Sequence, residues 1–201
     1  MLELPCGIKP SLSHIIVGVE ATPYSIPWQV YFSVVCGGTL ISSRHVVTAE
    51  HCGIRTGDFA IVAEHDRQNA SDGTRHKICA ETDHPSYDIS ILHLEEPVQM
   101  GPRPVHACLP TLKHAGDFLA GKLMTVSGWG NTNYTHPNYP DKLHVVNVTG
   151  VDLALCREKY DDTTGDTVTD GDMCAGDIID GGEDSCQGDS GGRILNRENY
   201  E

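Results

Sequence analysis

Short apolar segments, each closed off by Gly, Pro, Asn or Asp, dominate this chain, and few folds accept that pattern. Residues 28–34, 38–42, 46–48, 60–62, 89–94, 124–127 and 144–151 are rich in β-branched or aromatic residues and read as strands. One helix is expected, over Leu153–Tyr160, with Asp152 placed as its N-cap. Many short strands at this spacing predict an all-β sandwich or barrel. Residues 131–141 and 161–172 are polar and read as exposed loops. The 201 residues suit one all-β domain or two small ones.

The charge balance narrows the function. There are 28 acidic residues against 14 basic ones, a formal net charge of −14. Such a surface repels nucleic acid and anionic lipid, so neither is expected as a partner. No stretch approaches the roughly 18 apolar residues of a membrane span. Eight cysteines point to disulfides and an oxidising, extracellular location. Metal binding is the competing explanation, but no Cys-x-x-Cys or His-Glu-x-x-His spacing is present. Three Asn-x-Ser/Thr sequons, at Asn69, Asn133 and Asn147, fit a secreted glycoprotein. No signal peptide is evident at Met1–Cys6.

The sharpest chemical signal is Gly188-Asp189-Ser190-Gly191-Gly192. A nucleophilic serine needs its hydroxyl on a tight turn, with backbone N–H groups aimed at the developing oxyanion. Flanking glycines permit both the turn and the close approach of substrate. A base must come from elsewhere. His51 stands out among 11 histidines because it follows the apolar strand Val46–Thr48 and precedes Cys52. Asp88, just before the apolar residues Ile89–Leu94, is the expected orienting carboxylate, buried where it meets a histidine.

These residues bring out a resemblance. Thr48-Ala49-Glu50-His51-Cys52, Asp88-Ile89-Ser90-Ile91-Leu92 and Gly188–Gly192 resemble motifs of the chymotrypsin/trypsin family. So do Ile15-Ile16-Val17-Gly18, Pro27-Trp28-Gln29-Val30, Cys36-Gly37-Gly38-Thr39-Leu40-Ile41, His84-Pro85-Ser86-Tyr87 and Cys108-Leu109-Pro110. Ser127-Gly128-Trp129-Gly130 and Met173-Cys174-Ala175-Gly176 complete the series, in the family's order.

The resemblance implies two antiparallel six-stranded barrels with a site between them. It assigns Ser190 as nucleophile, His51 as general base and Asp88 as its orienting group. Backbone N–H groups of Gly188 and Ser190 form the oxyanion hole. Asp184, six residues before Ser190, becomes the carboxylate of the primary pocket, with Ser185 and Gln187 also binding substrate. The implied reaction is serine-type endopeptidase cleavage after Arg or Lys, without cofactor or metal. Implied partners are protein or peptide substrates, protein protease inhibitors and an activating protease. Residues 1–14 read as a propeptide remnant and 15–201 as the protease domain. Cleavage before Ile15 would free an α-amino group to insert beside Asp189; the preceding His14 is unlike the Arg or Lys usual there. Expected disulfides are Cys36–Cys52, Cys156–Cys174 and Cys6–Cys108.

Some features depart from the family pattern. The sequence ends 11 residues after Ser190, so the second barrel is expected to be incomplete and the 201 residues alone to lack activity. Cys186 and Cys79 are left without assigned partners. Glu64 and Asp72 resemble calcium-loop ligands, but Arg75 stands where another acid is expected, so calcium is not expected. A catalytically inactive homologue that acts as a binding protein is the alternative function.

Overall fold

A computed structural model describes residues 18–34, 36–69, 71–101, 104–109, 119–132, 136–161, 168–176, 189–192 and 194–196. Eleven strands and one α-helix are described. They are β1 (Val19–Glu20), β2 (Gln29–Phe32), β3 (Cys36–Leu40), β4 (His45–Thr48), β5 (Phe59–Val62), β6 (Thr74–Asp83), β7 (Ser90–Leu94), β8 (Leu123–Gly128), β9 (His144–Val151), α1 (Leu153–Asp161), β10 (Cys174–Ala175) and β11 (Ile194–Asn196).

Strands β2-β3-β4-β7-β6-β5 close into a barrel. Closure follows from alternation along the strands, because every second residue turns inward. Val46, Ala60, Val62, Leu92 and Leu94 are fully buried, while their strand neighbours face out. The remaining strands form a sheet in the order β1-β9-β8-β11, with β10 added to β9. Among the described residues this second sheet is open, as expected.

The two halves meet in a shared core, and the second sheet keeps a smaller cluster of Met124, Val126 and Val148. Trp129, Leu143 and Val145 from the second half join the apolar cluster of the barrel. Ser127 Oγ donates to the buried Gln29 Oε1 at 2.8 Å, and Trp129 Nε1 donates to His65 O at 3.2 Å. These contacts set the seam on which the candidate site is built.

Strand β6 has no counterpart among the expected strands. Of its ten residues only Ile78 is buried, so its sequence shows no alternation to read. The barrel needs it to bridge β5 and β7, and those two partners hold it in place. A bulge between Ile78 and Ala80 leaves Cys79 exposed as a free thiol. The helix forms as expected, with Asp152 Oδ1 accepting from the N–H groups of Ala154 at 2.9 Å and Leu155 at 3.2 Å. Residues 133–135 and 162–167 of the two expected loops lie outside the described residues. So do residues 1–17, which include Ile15 and Cys6.

Glu64 and Asp72 are both buried in the turn after β5. Asp72 accepts from Tyr24 Oη at 2.7 Å, from the Asp66 N–H at 2.7 Å and from the His65 N–H at 3.2 Å. The Arg75 guanidinium lies 3.7 Å over the Phe59 ring. Burial, with the Asp72 carboxylate nearby, pushes the Glu64 carboxyl up to about 7. The folded protein therefore binds more protons than the unfolded chain between the ordinary Glu pKa of about 4.3 and about 7. Stability is lost as pH rises through that window and then levels off. Glu64→Gln is expected to flatten this dependence and to be more stable than the parent at pH 8. Urea unfolding at pH 5 and pH 8, with divalent ions chelated, measures it. An identical pH dependence in parent and variant would contradict the assignment.

Candidate active site

Strands β4 and β7 pair with Thr48 opposite Ser90, so the segments beyond these two residues emerge together. After β4, Ala49 is extended and a single 3-10 turn covers Glu50–Cys52. Gly53, in the left-handed region at φ 64°, closes that turn through its N–H to Glu50 O at 2.9 Å. Cys52 is disulfide-bonded to Cys36 on β3, as the resemblance implied. Cross-links of this span contribute roughly 3 kcal/mol, largely by restricting the unfolded chain. Here the bond also ties down the residue next to His51.

Asp88 meets His51 at two points. The His51 N–H donates to Asp88 Oδ1 at 2.8 Å, and Nδ1 donates to Oδ2 at 2.6 Å. The ring proton is thereby assigned to Nδ1, leaving the Nε2 lone pair free to accept. Partial burial pushes the Asp88 carboxyl up, but the hydrogen bonds and charge of His51 outweigh it and hold the group below its ordinary range. One expectation is corrected: Asp88 is not buried. Its side chain is 53% exposed and that of His51 56%. The chain neighbours of Asp88, Tyr87 and Ile89, are exposed as well.

Ser190 lies on the tight turn of residues 189–192, closed by the Gly192 N–H to Asp189 O at 2.9 Å. This turn is fastened to the barrel by backbone. The Gly37 N–H donates to Ser190 O at 2.7 Å, and Cys52 Sγ lies 3.8 Å from the same oxygen. Ser190 thus sits against the residue that follows His51. Among the described residues, no hydrogen bond joins Ser190 Oγ to His51.

Asp189 Oδ1 accepts the Gly130 N–H at 2.9 Å. A Cβ built on Gly130 would stand 2.5–2.6 Å from the Asp189 carboxyl group. The two glycines that flank Trp129 are therefore required by the close approach of Asp189. Gly37, Gly128 and Gly130 belong to the sequence motifs, but the sequence alone assigns them no task. The signal is glycine at strand ends, where a second backbone comes close.

Gly188, Asp184, Ser185, Gln187 and Cys186 lie outside the described residues, as does Ile15. Cys156–Cys174 is bonded as expected. Cys108 is disulfide-bonded to a partner outside the described residues. Cys36, Cys52 and His51 lie close together, but the disulfide leaves no thiolate there to hold a metal.

A family model described as Trypsin matches residues 15–200. Transmembrane protease serine 9 of Rattus norvegicus is 34% identical over 215 residues, covering 98% of this chain and 20% of that protein. Kallikrein-11 of Homo sapiens is 29% identical over 211 residues, covering 97% of this chain and 71% of the relative. Serine protease filzig of Drosophila melanogaster is 31% identical over 216 residues, with 94% and 12% covered. The chain thus spans a small part of the length of two of these three relatives. Among solved structures, mouse neuropsin, a serine protease, superposes with a TM-score of 0.75 at 28% identity, covering 91% of this chain and 83% of that one.

Proposed function

The chain belongs to the trypsin family, and on that premise we propose that it is a secreted serine endopeptidase cleaving proteins or peptides after Arg or Lys. The observation that carries this reading is the two-point His51–Asp88 contact beside the anchored Ser190 turn. In the proposed mechanism, Ser190 Oγ attacks the scissile carbonyl while His51 Nε2 takes its proton. His51 then protonates the leaving amine, and water repeats the cycle on the acyl-enzyme. Asp88 holds the imidazole tautomer and favours the imidazolium as it forms. Backbone N–H groups of Gly188 and Ser190 stabilise the oxyanion, each worth about 3–4 kcal/mol in comparable sites.

Asp184 supports the Arg/Lys preference. A carboxylate at the base of a desolvated pocket pairs with a guanidinium or ammonium far better than with an apolar ring. Paired peptides that differ only in Arg or Phe before the scissile bond test the idea on an activated parent fused to a C-terminal trypsin-family segment, since the 201 residues alone are expected to be inactive. Asp184→Ser should abolish the Arg preference while Ser190 still reacts with a fluorophosphonate. A parent enzyme that favours Phe would overturn the specificity assignment. Failure of the fluorophosphonate to label the activated parent at Ser190 would overturn the mechanism.

Activation is proposed to follow cleavage before Ile15, whose α-amino group would pair with the Asp189 carboxylate. A Cys6–Cys108 bridge would keep the 14-residue peptide attached. Intact mass after cleavage should therefore fall by that peptide only when reductant is added; release without reductant would show the bridge to be misassigned. Among the described residues no helix is long and apolar enough to cross a membrane.

A further inference from the structure

Two of the three sequons, at Asn69 and Asn147, have their asparagine among the described residues, and their settings differ. We propose that Asn69 carries an N-linked glycan in the folded protein and that Asn147 does not. Asn69 is exposed, between exposed Gln68 and Ser71. Its Oδ1 accepts from Ser71 N at 3.2 Å and from Ser71 Oγ at 2.8 Å. The sequon hydroxyl is therefore on the amide oxygen, and Nδ2 makes no hydrogen bond among the described residues. The turn is held from behind. Arg67 N donates to Asp141 O at 3.0 Å, Gln68 Nε2 to Asp141 Oδ1 at 3.0 Å, and Arg67 Nη2 to Tyr139 O at 2.8 Å. These bonds tether Arg67 and Gln68 to residues 139–141, while Asn69 itself is exposed.

Asn147 has the same sequence signal and the opposite environment. It is 6% exposed in the middle of β9, directly opposite Thr125 of β8. Its Oδ1 accepts the buried Thr125 Oγ1 at 2.9 Å. Strand alternation puts Asn147 on the same sheet face as Ser127 and Val145, both buried, and Val145 belongs to the core shared with the barrel. A sugar on Nδ2 would have to lie within this buried face or lift the sheet from what packs on it. Chains modified at Asn147 before folding are thus excluded from the folded pool.

The chemistry requires a secretory compartment, consistent with the Cys36–Cys52 and Cys156–Cys174 disulfides. The donor is an oligosaccharide held on a lipid pyrophosphate, brought by a membrane transferase. Asn69 Nδ2 attacks the anomeric carbon and forms the C–N bond. The C–O bond to pyrophosphate breaks, the lipid pyrophosphate leaves with the electron pair, and Nδ2 gives one proton to a base of the transferase.

The full chain, expressed behind a secretion leader in eukaryotic cells, is digested and mapped by mass spectrometry with and without peptide N-glycosidase, which converts a glycosylated Asn to Asp. The expected result is conversion at Asn69 and an unmodified Asn147 peptide. Asn69→Gln and Ser71→Ala should each remove the glycan at this site, and Thr149→Val should change nothing in the secreted glycan pattern. The map of the parent protein decides the matter even where a variant folds poorly. An unmodified Asn69, or a glycan on Asn147 in secreted folded protein, overturns the proposal. Neither result depends on peptidase activity.

Discussion

Asp88→Asn, made in the activated chain fused to a C-terminal trypsin-family segment, is expected to lower kcat on an arginyl peptide by on the order of 10⁴, with KM changed only a few-fold. Two donors are the cause. His51 N and His51 Nδ1 both donate to the Asp88 carboxylate. An amide retains one acceptor, and its NH₂ then faces the other donor. Two donors cannot share a hydrogen bond, so the ring releases the Nδ1 proton and carries it on Nε2. That tautomer cannot take the Ser190 proton. The imidazolium also loses its counter-charge. Because Asp88 is half exposed, the fold should tolerate the change, and urea midpoints should agree within experimental error. Steady-state kinetics with both measurements on one preparation separates the two effects. A loss of less than tenfold would show that Asp88 does not govern the tautomer. A loss matched by unfolding would assign it a structural task instead.

Gly191→Ala should remove activity altogether and destabilise the protein by more than about 3 kcal/mol, by strain and overlap together. Gly191 has φ 76°, a conformation that costs an ordinary residue about 1–2 kcal/mol. Space is the larger obstacle. A Cβ there would overlap Thr48 Oγ1 and Gly37 O and stand 3.0 Å from Ala49 N. Thr48 Oγ1 cannot move aside freely, since it donates to Gly37 O at 2.8 Å inside the seam. The turn must lift, and the hydrogen bond from the Gly37 N–H to Ser190 O breaks first. A displacement near 1 Å is enough to cost roughly 10²-fold in rate before any unfolding. Fluorophosphonate labelling of Ser190, compared with Gly53→Ala, provides the control. Gly53 has a similar φ of 64° but no atom within 4 Å of its built Cβ, so strain acts there without overlap. Equal effects at the two glycines would show that conformation alone matters.

Much of the strand plan is legible because burial leaves a period of two in the sequence. Residues 144–151 read as a strand and form β9 over that span. Asp152 reads as a cap because an aspartate before an apolar helix turn can satisfy free N–H groups, and it does so. Strand β6 is hidden in the sequence because one buried residue in ten leaves no pattern. Its strand character comes from β5 and β7, which supply hydrogen-bond partners on both sides. The spans β1, β10 and β11 are hidden for a related reason: two or three residues are too few to show a period.

The candidate site divides in the same way. Local sequence, through motifs in a recognised order, determined which residues are candidates: His51, Asp88, Ser190 and the cysteines beside them. It determined the polarity of the surface and the existence of three glycosylation signals. Tertiary structure alone decided that His51 and Asp88, 37 positions apart, meet through two hydrogen bonds. It decided that Asp88 is open to solvent, that Cys79 projects from a bulge, and that Gly37 holds the Ser190 turn. It also separated Asn69 from Asn147, which carry the same triplet signal. The reason is physical. A motif reports what a residue can do chemically, whereas solvent access and hydrogen-bond partners arise only when distant strands pair and close the barrel.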